Sequence, residues 1–310
     1  MIWGETPKTA AKRSLKRDAN FVGFILIGLL VSQLIIALLA RVAHEAGVLN
    51  LLLSDYGLGS VGSQLFTMLR YVLYVGAPVL VVAVIARREE TPFPTCAVPP
   101  YTFYLAIIGG MTVAAIGNIL SSYLMSYLNG FGVPIPDLSM DYEPTVWNLV
   151  LNIVSAAVFP ALLEEMAMRG FVLHALRPYG DWFAIVVSSV LFGLIHGNVL
   201  QLPFALVLGL MLGWMTVRTG SIWPAVVLHF VNNALSVALG WGEQFYGENA
   251  PVDAHVFTSI SFFGAVLFAM LYLFRAPHEE DLLRPLHKKH PVLTTKDCVG
   301  ALLEIGRAHV

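Results

Sequence analysis

Six polar residues stand inside otherwise apolar stretches of this chain and carry hydrolytic potential: Glu164, Glu165, Arg169, His196, His229 and Asn233. An ionised side chain at the centre of a membrane helix costs about 2.5–3.5 kcal/mol, so one that persists ordinarily faces a protein interior or water. Glu165 and Arg169 are four residues apart, share a helix face and are expected to form an ion pair that fixes helix packing. Glu164 is turned about 100° round the same helix and has no local partner. An unpaired carboxylate in an apolar cavity suits a group that takes and returns a proton. His196 ends the run Phe192-Gly193-Leu194-Ile195-His196, and His229 and Asn233 share a face four residues apart. A lone histidine in a membrane helix ordinarily bonds across to a neighbouring helix. Three successive spans with such residues become tolerable together when they converge on one wet cavity.

Two chemical readings fit that cavity. In one, Glu164, His196 and His229 supply three ligands to Zn²⁺ and leave an open position for an activated water. In the other, Glu164 and His196 bind and deprotonate water directly, while His229 and Asn233 donate hydrogen bonds to the oxyanion of a tetrahedral intermediate. The HExxH spacing of many zinc peptidases is absent. Asn is also a better oxyanion donor than metal ligand. Both readings stay open, and no other cofactor is expected.

The elements that must position these residues are membrane helices. The chain is 57% hydrophobic and 12% charged, against about 25% charged in soluble domains, and nucleic-acid binding has no support. With about 20 apolar residues needed per crossing, about eight spans emerge, near 20–42, 62–86, 101–128, 146–174, 181–198, 199–217, 221–240 and 255–275. The expected fold is an all-α polytopic bundle with a tight hairpin around Gly197 and Asn198. A basic segment, residues 1–19, precedes a transmembrane domain over 20–275, whose catalytic core covers about 146–240. A polar tail follows over 276–303. Residues 304–310 read EIGRAHV, the translation of a common sequencing-library adapter, and are set aside.

Lys and Arg fall before the first span and after the second, fourth, sixth and eighth. Cytoplasmic loops retain positive charge, so both termini are expected in the cytoplasm of a bacterial plasma membrane. Arg41, Arg70 and Arg169 lie outside this pattern; Arg41 is expected to snorkel to the outer interface. Cys96 and Cys298 are far apart, without CxxC spacing, and are expected as free thiols.

At its polar spans the chain resembles the CAAX-protease and bacteriocin-processing family of intramembrane endopeptidases, which includes the eukaryotic prenyl-protein endopeptidase and Abi-type proteins. The EExxxR pattern appears as Glu164-Glu165-Met166-Ala167-Met168-Arg169, FxxxH as Phe192 to His196, and HxxxN as His229-Phe230-Val231-Asn232-Asn233. The resemblance implies a peptidase core in which Glu164 and His196 activate water, with His229 and Asn233 at the oxyanion. Its partner would be a peptide or protein substrate at the bilayer. The family is described both as metal-dependent and as glutamate-type, so the two readings remain.

At about 1.5 Å per residue, His229 lies about 12 Å from the inner end of its span and His196 about 22 Å from that of its own. Tilt, a lower start to the fifth helix, or a fifth span ending in mid-membrane would bring them level. The rival to a peptidase is a transporter or ion-coupled carrier using the same residues, which would show inverted-repeat symmetry that this sequence lacks. A silent immunity or scaffold protein of the same fold is the second rival, and intact motifs argue against it.

Overall fold

Apolar side chains cover the outside of this protein and polar ones gather within it. Phe24, Leu34, Leu38, Val84 and Trp147 are exposed, while Glu165, Arg169, Ser188 and His229 are buried. That arrangement suits a hydrocarbon solvent, in which exposed methyl and aromatic groups cost nothing and unpaired polar groups cost several kcal/mol. The computed structural model describes residues 6–47, 59–85, 94–133, 145–246 and 292–304, together with Gly264 and Leu286.

Among these residues the fold is helical, with one isolated bridge between Thr95 and Ser221. Helix α1 runs Pro7–Glu45, starting with Pro in its first turn and the Thr6 side chain accepting from Thr9 N–H. Helix α2, over 59–85, contains a π turn at Val72–Gly76. Helix α3 is Pro100–Gly130 and α4 is Val146–Tyr179. Helix α5 is Asp181–Ile195, α6 Leu202–Thr219, α7 Trp223–Tyr246 and the terminal α8 Thr295–Leu303. Six of these, α1 to α4 with α6 and α7, are long and apolar enough to cross a membrane.

The expected fifth span over 181–198 is shorter than the sequence reading drew it. Helix α5 has 15 residues, about 22 Å at 1.5 Å each, against about 30 Å of hydrocarbon. Apolarity continues through Ile195, but Gly197 adopts φ +63 and Asn198 Oδ1 accepts from Leu200 N–H. The chain turns there, and the sixth span begins at Leu202 rather than 199. The hairpin around Gly197 and Asn198 is as expected. Helices α1 and α4 run past the expected 20–42 and 146–174, because polar ends in water need no apolar residues to stay helical. Of the expected eighth span over 255–275 only Gly264 is among the described residues, and residues 305–310 lie outside them.

Close backbone approach sets the α5–α6 pair. A Cβ on Gly209 would stand 3.1 Å from Ser189 Cα and one on Gly213 3.3 Å from Ile185, so two glycines four apart let the helices touch. Two apolar clusters flank the pair. One joins α1, α2, α4 and α5 through residues such as Ile25, Val79, Val172 and Ile185; the other joins α3, α6 and α7 through Ala114, Leu212 and Leu228. At one end of the bundle α8 packs on α1, with Leu15, Tyr179, Leu293 and Cys298 buried together. There Lys12 Nζ lies 2.7 Å from Asp297 Oδ1 and the Tyr179 hydroxyl donates to Asp18 at 2.7 Å. Neither Cys96 nor Cys298 is in a disulfide.

Candidate active site

Helix α4 carries the glutamate pair at a place where its own ladder is interrupted. Pro160 has no N–H, so the Ala156 carbonyl one turn earlier loses its helical donor. Asn233 of α7 supplies one instead, its Nδ2 donating to Ala156 O at 3.2 Å. The helix is wound as π turns at Val154–Val158 and again at Met166–Leu173, immediately after Glu165. Such turns shift the residues beyond them round the axis and are frequent at functional sites.

Glu165 and Arg169 are both fully buried, with 2.9 Å between Arg169 Nη1 and Glu165 Oε1. Arg169 Nη2 also donates to the Gly209 carbonyl at 3.0 Å, and its guanidinium stacks 4.6 Å from the Phe192 ring centre. Glu165 has a second partner that sequence spacing does not reveal: His229 Nδ1 lies 2.9 Å from the same Oε1. Facing an ion-paired carboxylate, Nδ1 carries the proton, which directs Nε2 of His229 the other way. That Nε2 is 3.9 Å from Glu164 Oε2.

Glu164, without a partner on its own helix, has one on α2. The Tyr71 hydroxyl donates to Glu164 Oε1 at 2.5 Å, and Glu164 Oε2 makes no hydrogen bond among the described residues. His196 stands just past the end of α5 and is half-buried. Its Nδ1 lies 2.7 Å from the Phe192 carbonyl, which can only accept, so Nδ1 bears the proton and Nε2 is left with its lone pair.

Phe192 is the hub of the arrangement. Its ring meets His196 edge-on at 4.9 Å between centres and His229 at 5.7 Å. The His196 side chain folds back one turn towards the start of its helix, as helical side chains lean. That fold and the short α5 together bring the two imidazoles to one aromatic ring despite their different depths in sequence.

Glu164, His196, His229 and Asn233 all line a single cavity of about 870 Å³. Glu165 and Arg169 are not among its lining residues and close the site from behind. The six sequence-selected residues therefore divide into four at the cavity and two sealed beneath it. Two contributors escaped the sequence reading. Tyr71 is one, and the spacing of Gln64, Thr67 and Tyr71 at i, i+3 and i+7 marks a polar face on α2 that would have found it. Gln64 on that face donates to Asn152 and accepts from Ser155 of α4. Asn232 is the other, buried, donating to Asn233 Oδ1 at 3.1 Å and lining the cavity.

The Zn²⁺ reading needs Glu164, His196 and His229 as one ligand set. Among the described residues no three His, Cys, Asp or Glu side chains are grouped to hold a metal ion. As placed, Glu164, His196 and His229 do not form a ligand set for that ion.

The fold and the site define a class: a polytopic all-α membrane protein with a buried glutamate–histidine centre. Residues 146–235 match the family described as type II CAAX prenyl endopeptidase Rce1-like, a segment that starts with α4 and contains all three motifs. That match, over less than a third of the chain, supports the resemblance to the CAAX-protease and bacteriocin-processing family that the motifs carry. A relative from Bacillus subtilis (strain 168), named "Putative membrane peptidase YdiL", is 26% identical over 133 residues, 43% of this chain. The match spans about half, 54%, of that relative's length. No solved structure matches the chain.

Proposed function

We propose that this protein is a membrane-embedded endopeptidase of the CAAX-protease type, hydrolysing a peptide bond with a water activated by Glu164 and His196. The observation that carries this reading is the convergence of Glu164, His196, His229 and Asn233, from three separate segments, on one cavity. Glu164 Oε2 has no hydrogen-bond donor of its own, and His196 Nε2 offers a lone pair, so a water between them loses one proton to Glu164 while hydrogen-bonding to His196.

The water oxygen attacks the scissile carbonyl carbon, and the carbonyl oxygen becomes an oxyanion. His229 Nε2–H in the imidazolium form and the second Nδ2–H of Asn233 donate to it. Glu165 and Glu164 balance the imidazolium, and the Arg169 charge in turn fixes Glu165. Collapse of the intermediate breaks the C–N bond, and the departing amine takes the proton from Glu164. The products are a carboxylic acid and an amine, between which the second proton of the water passes on release, and the enzyme is returned to its starting state.

Both termini are proposed to face the cytoplasm of a bacterial plasma membrane. The charge bias supports this, as does the contact of Lys12 with Asp297, which brings the first and last described helices to one end. The substrate is proposed to be a peptide or protein segment at the bilayer.

The test is cleavage of a panel of membrane-associated peptides by the full-length protein in lipid nanodiscs, read by mass spectrometry. Glu164→Ala and His196→Ala are each expected to abolish cleavage while the protein stays folded. Full activity in either variant overturns the assignment. Bound zinc, measured on the active protein, is expected to be far below one per chain, with activity unaffected by chelators.

A further inference from the structure

A second, smaller cavity of about 220 Å³ adjoins the same carboxylate. It shares Tyr71, Glu164, His196 and Gln201 with the large one, so the two spaces meet at these four residues. We propose that the small cavity is the water chamber of the site: peptide occupies the large cavity, and the hydrolytic water reaches Glu164 and His196 from the small one. This rests on the peptidase reading above.

The division of chemical groups between the cavities carries the argument. His229 and Asn233, the oxyanion donors, line only the large cavity. The small one touches the two groups that activate water and neither of those that receive the carbonyl oxygen. The space that meets both sets of groups is where the carbonyl must lie, and the space that meets only the base is where a nucleophile waits.

Occupancy points the same way. On α7 the large cavity is lined from His229 to Gln244, about 22 Å of helix at 1.5 Å per residue. That is room for about six or seven residues of extended peptide at about 3.3 Å each. Such a peptide displaces the water it replaces, yet every turnover consumes one water. A chamber of about 220 Å³ has room for several waters at about 30 Å³ each, provided polar groups hold them. Gln33, Gln201, Tyr71 and Tyr74 supply those groups.

Gln33 is the second independent observation. It is an exposed amide on α1, in the run Val31-Ser32-Gln33-Leu34-Ile35, whose other large side chains face outward. An amide turned to hydrocarbon is costly, and one turned to a wet chamber is not. Its position in the lining of the small cavity accounts for an exposed amide beside the outward-facing Val31 and Leu34.

The experiment uses full-length protein in nanodiscs with a cleaved peptide. Leu30→Trp fills the small cavity from a half-exposed position that the core does not depend on, and Gln33→Leu removes a polar wall. Each is expected to lower kcat about tenfold with KM unchanged, whereas Ser121→Phe in the large cavity raises KM. A rise in KM at constant kcat in the small-cavity variants overturns the proposal in favour of a side-chain pocket, and unchanged kinetics overturns it outright. Wetness is read separately, against the wild-type background of Cys96 and Cys298. Gln33→Cys is expected to react with a small charged methanethiosulfonate reagent while lipid-facing Leu34→Cys does not. Equal protection of the two overturns the chamber. If wild-type protein shows no Glu164-dependent cleavage, the peptidase reading fails, and labelling still decides the chamber.

Discussion

Glu164 and Glu165 are adjacent, identical in type and both buried, yet they sit in two different regions of the molecule. Glu165 has Arg169 and His229 on one oxygen and faces neither cavity. Each carboxylate has its other oxygen without a hydrogen bond among the described residues, but Glu164 is tied to Tyr71 on α2 and lines both cavities. Burial alone does not distinguish a structural carboxylate from a reactive one; what each oxygen faces does. The sealed side orients and charges the site, and the open side meets the reactants.

Breaking the sealed side has the largest expected effect on stability. Glu165→Ala leaves the Arg169 guanidinium buried without its counter-charge, and losing one partner of a buried pair costs about 3–5 kcal/mol. Unfolding in lipid or detergent should show that loss. Replacing both residues, as Glu165→Leu with Arg169→Met, should recover most of the stability because no lone charge remains. Activity should not return, since His229 Nδ1 no longer has its acceptor. Glu164→Gln gives the opposite pattern, near wild-type stability with no cleavage. If Glu164→Gln destabilised the protein as much as Glu165→Ala, the contrast between the two sides would collapse.

The backing of the sealed side supplies a smaller effect. A Cβ at Gly209 meets the Ser189 backbone, and the Gly209 carbonyl accepts from Arg169. Gly209→Val is expected to push α5 from α6 and cost about 1–3 kcal/mol, the usual range for overpacking. On the open side, Tyr71→Phe removes only the hydroxyl that fixes Glu164 Oε1. A hydrogen bond to a charged group contributes about 1.5–3 kcal/mol to stability, so the unfolding transition should drop by no more than that, while kcat should fall about tenfold or more with KM little changed. A loss of stability without a loss of rate would move Tyr71 to the structural side.

Much of this was legible in the sequence. The apolar runs located six of the expected spans, and the i, i+4 spacing of Glu165 with Arg169 foretold an ion pair that the structure contains. Three motif patterns singled out the residues that line the cavity. The hidden parts are non-local. Local spacing offers Glu165 one partner, while its bond to His229 joins residues 64 positions apart. Tyr71 lay on a readable polar face, but nothing in its spacing said which helix that face would meet. The end of α5 was masked because hydropathy runs on to Ile195 and past the turn at Gly197. The π turns of α4 leave no mark on hydropathy, and Pro160 gave their only hint by taking a donor from Ala156.

A third carboxylate extends the comparison to the aqueous end of the bundle, where the smallest effect is expected. Asp297 accepts from Lys12 and, within the capping box that starts α8, from the backbone and hydroxyl of Thr294. The Lys12 ammonium first, then the Thr294 donors, hold its carboxyl well below the usual carboxylate range. Because the folded value lies below that of the unfolded chain, near about 3.9, the stabilisation is fully present above that value. It is lost as pH falls towards the folded one. Hydrogen exchange over residues 295–303 should therefore be flat from neutral pH down to about 4 once corrected for intrinsic rates, then rise in stronger acid. Asp297→Asn should give the faster exchange at neutral pH, and salt should mimic it in part by screening Lys12. Cleavage should be unaffected, because no residue of α8 lines either cavity. A pair in water is weak where the Glu165–Arg169 pair is strong, so a change at Asp297 that altered cleavage would mean that the terminal helix reaches the site through α1.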